Sequence, residues 1–377
     1  MPPSVTLHTE SRSRALYLEV YSPKKALSPK YIAMSRTDNL PPSRNLGLEL
    51  ARATETAAIA AARYMGMGNR DRGDKAAAEA MRAFLRTVDM NGIVVIGEGE
   101  EEEVPFLFNG EHIGNGEGPE LDVAAGPVEG TALLADGRPN AIAAIAVAER
   151  GSLWQPGNAF YMNKIVVGRE AREAIDIRLS PTQNLHRIAE ALGKKINELT
   201  IFVLDKNRHA SLVEEIRQAG ARISLHTDGD VMGALMAAVP GTCIDALMGI
   251  GDSTKGVMAA AAVKALGGGM QGMRAPQRED EKRQLRKDGV KLQEVLKLDT
   301  LSRSDNIFFA ATGITPSTFL EGVNYGRDGS LTTHSIVIRS LTRSIRFIKG
   351  IHQLERRGNT QELGSTTPVE VAFEVVK

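Results

Sequence analysis

Two oxygen-bearing side chains, Glu129 and Thr131, follow a short apolar segment and could together serve cation and anion chemistry. Within residues 121–131, Val123 to Ala125 read as a small apolar strand, and Gly126 with Pro127 predicts a tight turn after it. Carboxylate oxygens are ligands for hard cations such as Mg²⁺ and Mn²⁺, while a hydroxyl and the backbone N–H of Gly130 can bind phosphoryl oxygens. Because one carboxylate binds such cations weakly, further acidic residues are expected to converge on this turn.

Two upstream segments supply acidic residues at the ends of predicted elements. An apolar strand at residues 93–96 is followed by Gly97, Glu98 and four more glutamates, Glu100–Glu103. Asp74 stands at the start of a predicted amphipathic helix. Both have simpler explanations, since Asp74 could be a helix N-cap and Glu98 could belong to a solvated acidic loop. As ligands, the two carboxylates would join Glu129 at one cation site.

In order and spacing, these segments and several later motifs resemble the class II fructose-1,6-bisphosphatases. No single motif is specific, but the series runs from Asn45 to His352 and so covers most of the chain. The later motifs are Tyr161-Met-Asn-Lys164, Lys206-Asn-Arg208-His209, Asp228-Gly-Asp230, Ser302-Arg-Ser-Asp-Asn306 and Ala311-Thr-Gly-Ile314.

The resemblance implies a metal-dependent phosphatase that removes the 1-phosphate of fructose-1,6-bisphosphate in gluconeogenesis or the Calvin cycle, with sedoheptulose-1,7-bisphosphate as an additional candidate substrate. It implies Mn²⁺ or Mg²⁺ bound by Asp74, Glu98 and Glu129, with Glu98, Glu102 and Thr131 as the catalytic groups. It also implies a cytoplasmic homo-oligomer, a dimer or a tetramer, with a sugar bisphosphate as its partner and neither nucleic acid nor membrane.

The resemblance further implies a set of groups that bind the sugar phosphate. Tyr161 could equally be an ordinary strand tyrosine, the basic pair at residues 206 and 208 a solvated loop, and the acidic pair at 228 and 230 a turn with an N-cap. His209 is expected to be structural. The implied set is Glu129, Gly130, Thr131, Tyr161, Lys206, Arg208, Asp228, Gly229, Asp230 and Asp252.

The chain departs from the family's pattern where a second metal would bind. Gly126 stands in place of an aspartate and Lys255 in place of a glutamate, and Glu102 replaces a catalytic aspartate. Five family carboxylates thus become three carboxylates and one ammonium. Because a unit charge a few ångströms away at low dielectric is worth roughly several kcal/mol, the second metal should bind weakly or not at all. Asp252, which replaces a glycine, could pair with Lys255.

Two hypotheses follow from these departures. In the first, the chain is an active sugar bisphosphatase in which Lys255 supplies the positive charge of the second metal. In the second, it is a degenerate paralogue that binds a sugar phosphate as a sensor or as an inactive subunit. A weaker third possibility is hydrolysis of another phosphate monoester, such as an inositol phosphate. The first is preferred because the sugar-binding positions and one metal site persist.

Composition excludes several classes of protein. Lys plus Arg equals Asp plus Glu at 46 each, so no net field favours nucleic acid or an anionic membrane. Cys243 is the only cysteine, which excludes an internal disulfide and suits a reducing compartment. The apolar runs are far shorter than the roughly 20 residues that a membrane helix needs.

The chain is expected to be an α/β protein with an α+β first domain. The family resemblance implies the layered sugar-phosphatase fold of the lithium-sensitive phosphatase superfamily. Residues 1–43 read as a disordered tail or a mis-assigned start, with Met34 as the alternative first residue and a targeting peptide less favoured. The other predicted segments are a metal-binding domain at 44–170, a sugar-phosphate domain at 171–350 and a tail at 351–377. Residues 277–297 read as a solvated helix or lid.

Overall fold

The structure is a computed structural model, and it describes residues 46–97 and 106–353. The predicted N-terminal tail, Glu98 and Glu102 lie outside the described residues, as does the segment 354–377. The contiguous unit that contains the described residues begins at Ser43.

The helices are mostly short. Those that carry Asp74 and Lys255 begin after side-chain N-caps, Asn69 and Asp252 respectively. The described residues form α1 (Leu46–Ala62), α2 (Arg70–Leu85), α3 (Thr131–Ala135), α4 (Pro181–Leu192), α5 (Ala210–Gln218), α6 (Asp230–Ala238), α7 (Ser253–Leu266), α8 (Glu279–Lys287) and α9 (Leu298–Leu301).

The described residues also form fourteen strands. They are β1 (Asn91–Ile96), β2 (His112–Ile113), β3 (Glu120–Glu129), β4 (Ile142–Glu149), β5 (Tyr161–Val167), β6 (Thr200–Leu204), β7 (Arg222–His226), β8 (Ala246–Asp252), β9 (Gly269–Arg274), β10 (Leu296–Lys297), β11 (Ile307–Gly313), β12 (Asn324–Tyr325), β13 (Ser330–Arg339) and β14 (Ser344–Gln353).

The strands form two mixed sheets. The first has the order β12-β13-β11-β4-β3-β1-β2, with β14 paired to β13, and the second has the order β10-β9-β5-β8-β6-β7. In the first sheet, β1 and β3 are parallel, whereas β3, β4, β11 and β13 are antiparallel to one another in turn. The first sheet therefore combines strands from both ends of the described chain, and the predicted division near residue 170 stays a prediction.

Three apolar cores hold five layers together, because the second core lies on both sides of the middle layer. One core joins α1 and α2 to the outer face of the first sheet, the second joins both sheets to α6 and α7, and the third joins the second sheet to α4 and α5. The layers therefore run helix, sheet, helix, sheet, helix, and the mixed α/β class is confirmed. In this order α6 and α7 are the inner layer, so their N-termini lie between the sheets.

Small side chains allow this close layering. Strand β4 reads Ile-Ala-Ala-Ile-Ala-Val-Ala-Glu, and its first seven residues are buried because helices cover both faces of the sheet. Helix α7 carries a run of four alanines, residues 259–262, all nearly inaccessible to solvent. Alanine loses no side-chain entropy in a helix and lets the backbone approach its neighbours, which suits a helix packed between two sheets.

Two local predictions at the acidic segments were wrong. Gly126 and Pro127 do not form a tight turn, because β3 continues to Glu129 with a break in its pairing to β4 between Gly126 and Glu129. Asp74 does not start α2, because Asn69 is the N-cap and its side chain accepts a hydrogen bond from the backbone N–H of Arg72. The N-cap explanation of Asp74 is thereby excluded, and its carboxylate is left for other contacts.

One further stretch, residues 277–297, was expected to be a solvated helix or lid. The charged stretch at 277–297 contains a helix, α8, and a short strand, β10, which pairs with β9. No helix among the described residues is both long and apolar enough to cross a membrane.

Candidate functional site

Glu129 is the most deeply buried carboxylate of the site. Its Oε1 accepts a hydrogen bond from the backbone N–H of Val231 at 3.3 Å, whereas Oε2 has no hydrogen-bond partner within the described part of the chain. Burial raises the pKa of Glu129 to about 7, against the opposing charge of Lys255 and with help from the charges of Asp228 and Asp230. A buried carboxylate oxygen without a partner needs a cation or a proton.

Asp74 and Thr131 meet although 57 positions separate them. The Thr131 hydroxyl lies 3.1 Å from Oδ1 and 3.0 Å from Oδ2 of Asp74, and it donates to that carboxylate. Burial raises the pKa of Asp74 to about 6, while the Thr131 hydrogen bond and the Lys255 charge lower it. The packing of α2 against α3 thus brings a predicted ligand to a predicted catalytic hydroxyl.

Lys255 lies in the first turn of α7, and its charge stabilises the ionised forms of both Glu129 and Asp74. The helix begins at Asp252, whose Oδ1 accepts hydrogen bonds from the backbone N–H of Thr254 at 2.7 Å and from its hydroxyl at 2.6 Å. Asp252 therefore fixes the start of the helix that carries Lys255. An N-cap of this kind satisfies a backbone donor that the helix cannot.

The space beside Gly126 is filled by a side chain from the same helix. A Cβ atom built on Gly126 would lie 3.2 Å from Cε and 3.6 Å from Sδ of Met258. Met258 stands one helical turn after Lys255, so α7 presents both residues towards the end of β3. An apolar thioether thus occupies the space that a side chain at position 126 would enter.

The segment Asp228–Asp230 places acidic groups at the start of α6. Gly229 has φ of +105° and is the N-cap residue, a conformation that favours glycine. Asp230 is buried, and its Oδ2 forms an ion pair with Nζ of Lys164 at 2.9 Å. Lys164 is itself buried and also donates to the backbone oxygen of Asp252 at 3.1 Å.

Lys164 is a site residue that the sequence analysis missed. Lys164 ends the motif Tyr161-Met-Asn-Lys164, but nothing in the local sequence predicts its partner 66 positions away. Because burying an unpaired charge is costly, the ion pair fixes both side chains. Lys164 thereby joins β5 to the N-terminal ends of α6 and α7.

Three predicted substrate-binding residues lie close together, two on strands of the second sheet and one in the turn after β6. Tyr161 on β5 pairs directly opposite Asp252 on β8, and the Arg208 guanidinium lies 5.4 Å from the centre of the Tyr161 ring. Arg208 Nε donates to the backbone oxygen of Ile250 at 2.9 Å, which holds the guanidinium near that ring. Lys206, two residues after the end of β6, is exposed.

His209 has the structural role that was predicted for it. Its Nδ1 lies 2.7 Å from the Leu204 backbone oxygen, and its Nε2 accepts from the Ile250 backbone N–H at 2.7 Å. Burial lowers the pKa of His209. One donating and one accepting nitrogen define the neutral imidazole, so this ring is a fixed connection between β6 and β8.

Two carboxylates of the site share a cationic neighbour, but the described residues do not complete a metal centre. No group of three or more His, Cys, Asp or Glu side chains within residues 46–97 and 106–353 is placed to hold one ion. Gly97 is confined, because a Cβ atom there would lie 1.9 Å from the Leu107 backbone oxygen. This glycine is the last described residue before Glu98.

The arrangement combines buried acids, an ammonium and the N-terminal ends of helices between two sheets. Such groups suit a ligand that carries negative charge together with a cation that neutralises it. The site is thus of the kind found in phosphate-binding α/β proteins.

Comparison with known proteins identifies the family. Residues 44–352 match the model of the bacterial, glpX-encoded fructose-1,6-bisphosphatases. The fructose-1,6-bisphosphatase 1 class 2 of Escherichia coli K12 is 39% identical over 328 residues, which cover 83% of this chain and 97% of that protein. The class 2 enzymes of Escherichia coli O6:H1 and Shigella flexneri match to the same extent. The chain belongs to the class II fructose-1,6-bisphosphatase family.

Proposed function

We propose that this chain is a phosphoric monoester hydrolase that releases the 1-phosphate of fructose-1,6-bisphosphate. The observation that carries the proposal is the family match over residues 44–352, together with 39% identity to a class 2 enzyme over nearly its whole length. Within that span, the described site retains Asp74, Glu129 and Thr131. Sedoheptulose-1,7-bisphosphate is a second substrate of the same chemistry, and the sugar-binding residues inferred from the sequence stay part of the proposal.

The described residues supply two of the three carboxylates proposed to hold one divalent cation. Glu129 offers a buried oxygen without a partner, Asp74 offers a half-buried carboxylate, and Glu98, outside the described residues, is proposed as the third ligand. Mn²⁺ and Mg²⁺ are the proposed ions, because each prefers oxygen ligands. Such a cation neutralises phosphoryl charge and makes a water molecule more acidic.

The described residues do not fit a second cation beside the first. Gly126 offers no side-chain oxygen, and Met258 fills the adjacent space with an apolar thioether. Lys255 adds an ammonium whose field already acts on Asp74 and Glu129. We therefore assign to Lys255 the charge that a second cation would bring to the phosphoryl oxygens, since an ammonium is an effective point-charge partner of phosphate.

The other residues bind and orient. The Thr131 hydroxyl is held by Asp74 and, with Glu102 outside the described residues, is proposed to orient the attacking water. Tyr161 and Arg208 are proposed to bind the distal phosphate and sugar, the guanidinium through its planar fork. The Lys164–Asp230 ion pair positions the start of α6 beside them. Lys206, Asp228 and Asp252 remain proposed contacts of the sugar phosphate.

Cation affinity should weaken as pH falls through neutrality. Cations bind ionised carboxylates and so compete with protons. In the absence of the ion the pKa of Glu129 is about 7 and that of Asp74 about 6. The dissociation constant for Mn²⁺ should therefore vary little above pH 8, rise about tenfold per pH unit between 7 and 6, and rise more steeply below 6. Calorimetric titrations at pH 5.5 to 8.5 test this, and an unchanged affinity between pH 6 and 8 would contradict it.

The proposed activity is tested by Mn²⁺-dependent phosphate release from fructose-1,6-bisphosphate. The wild type should be active, should lose activity in EDTA and should regain it with Mn²⁺. Two variants are measured beside it: Gly126→Asp with Lys255→Glu, and the same pair with Met258→Ala. Because Met258 obstructs position 126, the triple variant should bind Mn²⁺ more tightly than the double one.

The same experiment separates an active enzyme from a degenerate relative. If the wild type binds fructose-1,6-bisphosphate but releases no phosphate, while the triple variant hydrolyses it, the proposed activity is wrong and a sensor or inactive subunit is the better description. A panel with sedoheptulose-1,7-bisphosphate and inositol phosphates, under the same conditions, establishes which monoester is preferred. The lone Cys243 is free and exposed, which accords with the proposed cytoplasmic location.

A further inference from the structure

Helix α8 buries one carboxylate within a charged segment that mostly faces solvent. Glu281 is 2% exposed, and the helix buries one other side chain, that of Leu285, about one turn further on. Burying a charge is costly unless hydrogen bonds or an opposite charge compensate it. The partners of Glu281 therefore indicate why this segment holds a carboxylate against the rest of the fold.

Both carboxylate oxygens of Glu281 accept hydrogen bonds from backbone N–H groups. Oε2 accepts from Gln277, just before the helix, at 2.9 Å. Oε1 accepts from Phe160 at 3.0 Å and from Tyr161, 120 positions away in the sequence, at 3.3 Å. Three backbone donors suit the ionised form of the carboxylate, which only accepts, and hydrogen bonds to an ionised acceptor are the stronger kind. Glu281 thus attaches α8 to the start of β5.

Two more contacts join α8 to the segment that leads into β5. At the helix N-cap, the Arg278 guanidinium lies 5.6 Å from the centre of the Phe160 ring. At the C-cap, Asp288 Oδ2 accepts from the side-chain amide of Asn158 at 2.9 Å. Both contacts are exposed to solvent, where such interactions contribute little. The buried hydrogen bonds of Glu281 are therefore the principal connection between α8 and this segment.

The same start of β5 also contacts the N-terminal end of α7. The Phe160 backbone oxygen accepts from the N–H of Ser253, the first residue of α7, at 2.9 Å. Tyr161 pairs directly opposite Asp252, the N-cap residue of that helix. Residues 160 and 161 are therefore hydrogen-bonded to α8 and joined to the helix that carries Lys255, which leaves their backbone little freedom to move.

We propose that Glu281 is a positioning residue for sugar-phosphate binding, because it fixes the backbone that carries Tyr161. The inference rests on the proposed function, in which Tyr161 and Arg208 bind the distal phosphate and the sugar. The Arg208 guanidinium lies 5.4 Å from the centre of the Tyr161 ring, so a shift at the start of β5 changes the spacing of these two groups. A displacement of about 1 Å is enough to weaken a positioned contact. None of the three backbone donors belongs to a proposed cation ligand, so Glu281 acts on the sugar side of the site.

Glu281→Gln tests this role, since it keeps the shape of the side chain but replaces one accepting oxygen by an amide NH₂ group that cannot accept. The KM for fructose-1,6-bisphosphate should rise about tenfold, the usual effect of one lost hydrogen bond to a charged group, while kcat stays within a few-fold of the wild type. Mn²⁺ affinity, measured by calorimetry, should not change. The matched control is Glu279→Gln, because Glu279 is exposed and pairs with Lys282 on the same helix at 2.7 Å. The control should keep the wild-type KM.

A double-mutant cycle shows whether Glu281 acts through Tyr161. Two residues that act as a unit have non-additive effects, so Glu281→Gln should raise KM little further once Tyr161→Ala has removed the ring. Additive effects of the two substitutions on KM would overturn the proposal. Glu281→Asp keeps the buried charge and shortens the side chain by one methylene, so it should raise KM in the same direction, and it replaces Glu281→Gln if that variant does not fold.

The outcomes separate this inference from the proposed function. If the wild type hydrolyses the bisphosphate and Glu281→Gln leaves KM unchanged, the inference is wrong and the proposed function stands. If Glu281→Gln lowers Mn²⁺ affinity and kcat together, Glu281 only stabilises the fold, and the inference is again wrong. If the wild type binds the bisphosphate without hydrolysing it, the proposed activity is wrong, and an about tenfold larger dissociation constant in Glu281→Gln still supports the inference. A wild type that neither binds nor hydrolyses the bisphosphate overturns both.

Discussion

Replacing Glu129 by glutamine is expected to lower kcat/KM for fructose-1,6-bisphosphate by about 10²–10³-fold, the usual loss when one preorganised electrostatic group of an active site is removed. The amide keeps the shape of the side chain and can still accept from the Val231 N–H. It removes the negative charge from a buried position whose second oxygen has no described partner. Mn²⁺ affinity should fall with activity, and calorimetry alongside phosphate release measures both.

Stability distinguishes this loss from misfolding. Burial raises the pKa of Glu129 to about 7, so the folded chain holds a proton that the unfolded chain has released. The stabilising contribution of this group is fully present below the unfolded pKa and is lost as pH rises through about 7. Because glutamine cannot ionise, the variant should have a Tm at pH 8 that is at least equal to that of the wild type, while its activity is lost.

A second buried carboxylate on the same strand provides the control. Asp122 on β3 accepts from the Leu153 backbone N–H at 3.0 Å and lies 3.8 Å from Arg150 Nε. Asp122→Asn should lower the Tm, because it weakens that ion pair, but should leave kcat within a few-fold of the wild type. Equal losses of activity in the two variants would mean that Glu129 acts only through the fold.

The strongly patterned segments were predictable because their local signals agree with their tertiary surroundings. The Ala-rich sequence at 46–65 predicts a helix and forms α1, and the apolar run at 141–147 predicts a strand and forms β4, each within a few residues of those bounds. Both elements lie in the apolar cores, where a sequence has little freedom. Their patterns therefore survive in the folded chain.

The wrong local predictions arise where the sequence is compatible with more than one local structure. Asn69 and Asp74 are both good N-caps, and nothing in the sequence shows that Asn69 takes that position. Gly126 and Pro127 favour a turn, yet pairing with β4 on one side extends the strand through them. Tertiary contacts decided both cases.

The site contains contacts that no local pattern encodes. The Lys164–Asp230 ion pair joins the second sheet to helix α6 across 66 positions, and Met258 reaches Gly126 from another element. The sequence indicated that Gly126 and Lys255 changed together at one metal position. In the structure, Met258 fills the space beside Gly126. The departure from the family's pattern at this metal position therefore changes packing as well as charge.

Lys255→Met tests whether this ammonium acts on the phosphoryl group, and it should lower kcat/KM by about 10²–10³-fold. Methionine keeps an unbranched side chain of similar length, so packing in the first turn of α7 changes little. The charge of Lys255 acts on both Glu129 and Asp74, and an ammonium there also repels a bound cation. Removing it should therefore tighten Mn²⁺ binding while hydrolysis slows.

If Lys255 had only a structural role, its loss would disorder the site and lower both Mn²⁺ affinity and turnover. Tighter Mn²⁺ binding together with slower hydrolysis would therefore exclude that role. Lys264→Met on the same helix is the matched control, because Lys264 is in the last turn of α7 and its Nζ lies 2.9 Å from Asp299 and 3.2 Å from Asp305. That variant should keep the wild-type kcat. If Lys255→Met retains full activity, a positive charge at this position is not needed for phosphate release, and the single-cation site must stabilise the phosphoryl oxygens by itself.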